Sequence, residues 1–250
     1  MGTAEYYRAV APHYHLFYED WWETVDRERQ RLDALLAPRG VHTVLDASCG
    51  TGTQTIGLAQ QGYLVTACDV SSEMVAEAEQ RAAAAGVGGR IRFAVHDMAA
   101  LDEILTGPYD AAITVGNSFP HLEPGRREQA LRTLRSLLSP AGVLVIGMRN
   151  WDKILNERPQ FVQRRVSKVN GHRLVMFDVW DYPNDDEITF TTFFLWHDTQ
   201  TWRVETHTLT YYPLRAVDFM RLAQANGFRV VEQVDHPFER WWVLEVERDA

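Results

Sequence analysis

The chain has 250 residues, 46% of them hydrophobic and 24% charged, with 34 acidic against 25 basic side chains and a formal charge of −9. That is an ordinary globular composition, long enough for one large α/β domain or a domain with a sizeable insertion. The acidic balance argues against a nucleic-acid partner, the two cysteines against a disulfide framework, and the lack of a long apolar run against a membrane span.

Residues 1–22 are aromatic (Tyr6, Tyr7, Tyr14, Phe17, Tyr18, Trp21, Trp22) and read as irregular. They lack the basic and apolar stretches of a signal peptide, so a cytoplasmic protein is expected. The spacing of Val25, Leu32, Leu35 and Leu36 predicts a helix over Glu23 to Leu36, stopped by Pro38 and Gly40. Strands and helices then alternate. Strands are expected at Val41–Ala47, Leu64–Val70, Ile91–Val95, Asp110–Val115 and Gly142–Gly147. Helices are expected at Gly52–Gln61, Ser72–Ala85 and Glu123–Leu138. This order implies βαβ units and a parallel sheet. Cys49 and Cys68 lie in or beside apolar runs and read as buried, reduced thiols.

From about Phe161 to Tyr212 the helical period disappears. Runs rich in β-formers, Arg173–Trp180, Ile188–Trp196 and Val204–Tyr212, are separated by breaks at Asn170-Gly171, Pro183–Asp186 and His197-Asp198. This reads as an antiparallel insertion. Arg164, Arg165 and Lys168 within it read as a solvated strand edge. A helix at Ala216–Ala225 and strands at Phe228–Asp235 and Trp241–Glu247 complete the pattern. The organisation is a single domain. Residues 1–40 are a lid and helix, 41–150 a cofactor core, 160–213 an insertion covering the site, and 214–250 the completion of the sheet.

The strongest motif is Val44-Leu-Asp-Ala-Ser-Cys-Gly-Thr-Gly-Thr53, an apolar strand running into a Gly-x-Gly turn and then a helix. Glycines permit the sharp turn, and the helix start presents amides to a ligand. The third glycine of the dinucleotide fingerprint is replaced by Thr55. Asp46 would repel a phosphate but suits a zwitterionic amino-acid group, which favours S-adenosylmethionine. Asp69, ending the next strand, suits ribose hydroxyls. Asp97 and Met98, after the third, suit the amine and the ring of adenine.

This ordered set resembles the class I S-adenosylmethionine-dependent methyltransferases. The resemblance implies a Rossmann-like seven-stranded, mostly parallel sheet with its last hairpin strand antiparallel. The candidate cofactor residues are Tyr14, Asp46, Ser48, Gly50, Thr51, Gly52, Asp69, Val70, Met74, Asp97, Met98 and Gly116; no metal is expected. Three more segments, Val115-Gly-Asn-Ser-Phe-Pro-His-Leu122, Val145-Ile-Gly-Met-Arg-Asn-Trp-Asp152 and Leu209-Thr-Tyr-Tyr-Pro213, resemble the glycine and glycine/sarcosine N-methyltransferases. That likeness implies that Arg149 clamps an acceptor carboxylate, Asn117 places the acceptor and Tyr211 lines its pocket.

The simpler alternatives pair Arg149 with Asp152, make Asn117 a turn residue and assign Tyr211 and His121 to packing. The family's remaining pocket tyrosines fall near Thr192 and Arg164–Lys168, and its cofactor-contacting arginine falls at Trp22. With these departures the expected acceptor is either glycine- or sarcosine-like or a larger amine or amino-acid-type metabolite. The expected reaction is methyl transfer to a small amine, driven by proximity, with S-adenosylhomocysteine as co-product. Methylation at oxygen or carbon, with His121 as base, is the main rival. A nicotinamide oxidoreductase and a non-catalytic binding module are weaker ones. The partner is a small molecule, and the chain is a monomer or a homo-oligomer.

Overall fold

A computed structural model describes residues 2–247, so Met1 and the last three residues of the expected 214–250 segment lie outside it. The first sheet is built from β1 (Thr43–Asp46), β2 (Leu64–Asp69), β3 (Ile91–Val95), β4 (Tyr109–Thr114), β5 (Leu138–Met148), β10 (Phe228–Asp235) and β11 (Arg240–Val246). Their order across the sheet is β10-β11-β5-β4-β1-β2-β3. β1 pairs in parallel with both β2 and β4, while β11 runs antiparallel to β5 and to β10. Chain order therefore reverses between β1 and β4, and the cleft at the carboxyl ends of those strands is where ligands bind in such sheets.

Both faces of this sheet are covered, which explains why its strands read as continuous apolar runs. On one face α2 (Trp21–Leu36) and α3 (Thr53–Gln61) bring Leu32, Leu36 and Leu58 against Val44, Val65, Ile113 and Val145. On the other, α5 (Pro124–Leu137) and α7 (Ala216–Ala225) bring Leu131, Leu134 and Phe219 against Leu45, Leu144 and Ile146. α4 (Ser72–Ala84) is capped by Ser71, whose hydroxyl accepts the Met74 N–H. Cys49 and Cys68 are both buried and free.

The insertion is a four-stranded antiparallel meander, β6 (Phe161–Val169), β7 (His172–Asp181), β8 (Ile188–His197) and β9 (Trp202–Tyr211). The β6–β7 turn is Asn170-Gly171, with φ of +49° and +85°; both residues tolerate the left-handed backbone that a tight two-residue hairpin demands. Before this sheet comes α6 (Trp151–Glu157), a short helix that the sequence reading did not anticipate. Its start is set by Asn150, whose side chain accepts the Lys153 N–H.

Two further expectations are corrected. The N-terminal segment is helical rather than irregular: α1 spans Thr3–Val10, a 3₁₀ stretch covers Ala11–Phe17, and α2 begins at Trp21, capped by Asp20. Tyr6 and Val10, four residues apart, form the buried stripe that folds α1 onto the meander. The basic cluster is largely internal. Arg164 Nε donates to fully buried Asp178 at 2.8 Å, and Arg165 donates to the carbonyl of Tyr18, tying lid to sheet; only Lys168 is exposed. Among the described residues no helix is long and apolar enough to cross a membrane.

Candidate active site

The glycine turn sits at the carboxyl end of β1. Gly50 and Gly52 have φ of +51° and +91°, and a Cβ on Gly52 would lie 3.2 Å from both Ala78 Cβ and Ile56 Cδ1. Backbone angle and space both demand glycine there. Among the described residues no side chain caps α3, so its first amides stay available at the cavity edge, where Thr53 and Gln54 stand. Asp69 accepts the Gly50 N–H at 2.9 Å with one oxygen and the Ser71 N–H at 3.0 Å with the other. It thereby locks the turn to the end of β2, while burial pushes its carboxyl above the usual carboxylate range. After β3, Asp97 accepts the Ala99 N–H at 2.8 Å and, with its other oxygen, Arg126 at 2.8 Å.

These groups surround a cavity of about 400 Å³. Of the expected cofactor residues, Tyr14, Ser48, Gly50, Thr51, Asp69, Val70, Asp97, Met98 and Gly116 line it; Asp46, Gly52 and Met74 do not. Asp46 lies behind the turn, accepting Thr55 Oγ1 at 2.6 Å and the Ser48 N–H at 3.3 Å, and burial pushes its carboxyl up to about 7. Its oxygens brace the loop. Met74 packs in the core. The charged lining is Asp69, Asp97 and Glu123 against Arg126, a balance hostile to a diphosphate and suited to a cationic ligand.

Aromatic residues form the roof. Tyr7, Tyr14 and Tyr18 follow one another at ring separations of 6.1 and 5.9 Å, and the Tyr7 hydroxyl is hydrogen-bonded to His121 Nε2 at 2.9 Å. Trp21 donates to Thr51 Oγ1 at 3.3 Å, whereas Trp22 is half exposed. Tyr7, Tyr18 and Arg126 were missed from the sequence. The first two carried a signal, since residues 7, 14 and 18 share one face at helical spacing. Burial, with Arg149 nearby, pushes His121 down to about 3, so its ring is neutral at physiological pH.

Behind His121 lies the expected acceptor trio. Asn117, at φ +62°, donates its N–H to the Gly147 carbonyl at 3.2 Å and accepts the Arg149 N–H on Oδ1 at 3.0 Å. Its buried Nδ2 has no hydrogen-bond partner among the described residues. The Arg149 guanidinium lies 5.2 Å from the Trp180 ring and 5.6 Å from the Tyr211 ring. Among the described residues it makes no salt bridge; Asp152 engages Arg215 and the Ala216 N–H instead. Tyr211 is stacked between His121 and Phe190, at 4.2 and 4.9 Å. The trio is one connected group, set a layer behind the cavity wall. Gly116 links the two, and its N–H is held at 3.3 Å by Glu239, a carboxylate raised by burial that sequence reasoning did not find. Thr192 donates to Asp178 on the inner face of the meander, at 2.8 Å.

Residues 44–142 match the family model described as "Methyltransferase domain". Over 138 residues the chain is 37% identical to the glycine/sarcosine/dimethylglycine N-methyltransferase of Actinopolyspora halophila, covering 55% of this chain and 24% of that protein. Over 139 residues it is 37% identical to the glycine/sarcosine N-methyltransferase of Halorhodospira halochloris, covering 55% and 51%. The aligned part thus spans at most about half the length of these relatives. The fold matches a crystal structure of an S-adenosylmethionine-dependent methyltransferase from Clostridium acetobutylicum with a TM-score of 0.76, at 14% identity, over 97% of this chain and 99% of that one.

Proposed function

We propose that this chain, which carries a methyltransferase domain in a Rossmann-like α/β frame, transfers a methyl group from S-adenosylmethionine to the amine of a small, carboxylate-bearing acceptor. The observation that carries this reading is the ordered set around one cavity: the Gly50–Gly52 turn, Asp69 and the Asp97-Met98 pair, at the ends of three successive strands beside the topological switch. The cavity fits the cofactor by volume and by charge, since its acids oppose a dinucleotide's phosphates and favour a sulfonium.

When bound, S-adenosylmethionine supplies an electrophilic methyl group. Asp69 would accept from the ribose hydroxyls and Asp97 from the adenine amine, with Arg126 moving aside to free an oxygen. Met98 would pack on the base, and the amides at the start of α3 would face the methionine carboxylate. Tyr7, Tyr14 and Tyr18 close the site against water. Arg149, spaced off by two aromatic rings and making no salt bridge among the described residues, holds the acceptor carboxylate by a two-pronged contact. The Nδ2 of Asn117, without a hydrogen-bond partner among the described residues, offers a further donor.

An amine that enters neutral needs only alignment with the methyl carbon, so orientation supplies most of the rate. The rival reading, oxygen or carbon methylation with His121 as base, is disfavoured: a group at about 3 is a poor base near neutrality. The meander at 160–213 serves as the acceptor-side cover. Incubation with S-adenosylmethionine and a panel of small amines, following S-adenosylhomocysteine release and product mass, tests the proposal. Methylated product from a carboxylate-bearing amine supports it; cofactor binding without turnover on any amine would reassign the acceptor.

A further inference from the structure

The meander has two unlike faces. Residues directly opposed in an antiparallel pair share a face, so the strand register sorts them. One face, with Met176 opposite Phe194 and Phe190 opposite Leu209, is buried. The other centres on Phe177 opposite Phe193, stacked at 4.9 Å, with Phe161 against Phe177 at 5.1 Å. On the same face Phe161, Val166 and Val204 are 62%, 62% and 61% exposed. None of these residues belongs to a buried cluster of the described chain. A sheet face this apolar and this open marks an interaction surface.

Its charges sit at the two ends. Lys168, Arg173 and His197 form one row by register, and Asp181, opposite Thr189, stands at the far end. The rows between are uncharged, running Val166-Val175-Leu195-Val204 and Gln163-Phe177-Phe193-Thr206.

We propose that a second copy of this chain docks here, the two meanders packing face to face about a two-fold axis that runs across the strands. Four strands about 4.8 Å apart, each rising ~3.3 Å per residue for roughly ten residues, give a face of about 600 Å². Two such faces bury about 1,200 Å², enough for a specific interface. An axis across the strands reverses their direction in the second copy, so the Arg173 end of each meets the Asp181 end of the other. An axis along the strands would set like charges together. Phe177 and Phe193 lie at mid-strand and therefore near the axis, where a self-complementary patch meets itself. The dimer would also stiffen the sheet whose inner face carries Trp180 and Tyr211 beneath Arg149.

Sedimentation equilibrium of the full chain at micromolar concentration tests this. The expected mass is twice 28.7 kDa. Phe193→Lys and Val204→Lys are each expected to give the single-chain mass with an unchanged near-ultraviolet circular dichroism spectrum. Arg173→Asp should weaken the dimer roughly tenfold, and Arg173→Asp with Asp181→Arg should restore it. A wild-type chain that stays at 28.7 kDa overturns the proposal. So does a dimer that survives in the folded lysine variants, and a charge-swapped double variant no better than Arg173→Asp would overturn the two-fold orientation.

Discussion

The Asn117 side-chain oxygen accepts the backbone N–H of Arg149 at 3.0 Å, joining the loop after β4 to the end of β5. Asn117 is therefore more than a turn residue. Its positive φ, its bond to Gly147 and its grip on Arg149 together fix where the guanidinium leaves the sheet. The Trp180 and Tyr211 rings then hold that guanidinium without neutralising it.

Removing the guanidinium should act on the acceptor and leave the cofactor alone. Arg149→Ala is expected to lower kcat/KM for a carboxylate-bearing acceptor by ~10–100-fold, mostly through KM, matching the loss of a hydrogen-bonded charge. Arg149→Lys should recover little, because a point charge lacks the planar fork. Steady-state kinetics with acceptor varied at saturating cofactor reads both.

Asp69 presents the converse case. Asp69→Ala removes the proposed ribose acceptor and the anchor of the Gly50 amide. Affinity for S-adenosylhomocysteine should fall ~10–100-fold by isothermal calorimetry. An unchanged affinity would sink the assignment of that strand end to the ribose.

His121 separates the amine reading from its rival. With the ring pushed down to about 3, no ionisation of it should appear in the pH profile above pH 5, and kcat/KM should rise with deprotonation of the acceptor amine alone. His121→Gln is expected to lose less than about tenfold. A loss near a thousandfold, with an inflection between pH 6 and 7, would favour a base.

Asp46 predicts a stability profile. Its folded value of about 7 lies above the unfolded value of ~3.9, so the protonated form is favoured by folding. The stability this contributes is complete below about pH 4 and is lost as pH rises toward 7, an effect on the order of 4 kcal/mol. Asp46→Asn should flatten that part of the Tm-versus-pH curve. Differential scanning calorimetry between pH 4 and 8 checks it.

The sheet and the cofactor turn were legible because their cause is local. β1 is a short apolar run that must end in glycines, and parallel strands buried on both faces announce themselves as apolar segments. Asp69 and Asp97, which line the cavity, followed from chain order along those strands. The lid was harder. Tyr6 and Val10 carry a helical stripe only two turns long, too short to stand out among seven aromatic residues. Arg164 looked like solvated charge because its partner, Asp178, comes from the neighbouring strand. Glu239 was invisible for the same reason: it reaches Gly116 across 123 positions of sequence. Asp46 looked like a ligand-facing acid, yet its oxygens turn back to Thr55 and Ser48.

The most direct measurement compares matched acceptors, an α-amino acid and the amine that lacks only its carboxylate, with S-adenosylmethionine as donor and methylated product detected by mass. Methyl transfer to the amino acid at least tenfold more efficient than to the bare amine, with the gap closing in Arg149→Ala, is the predicted result. Equal turnover of both, or a gap untouched by the substitution, would contradict a guanidinium clamp for a carboxylate-bearing acceptor.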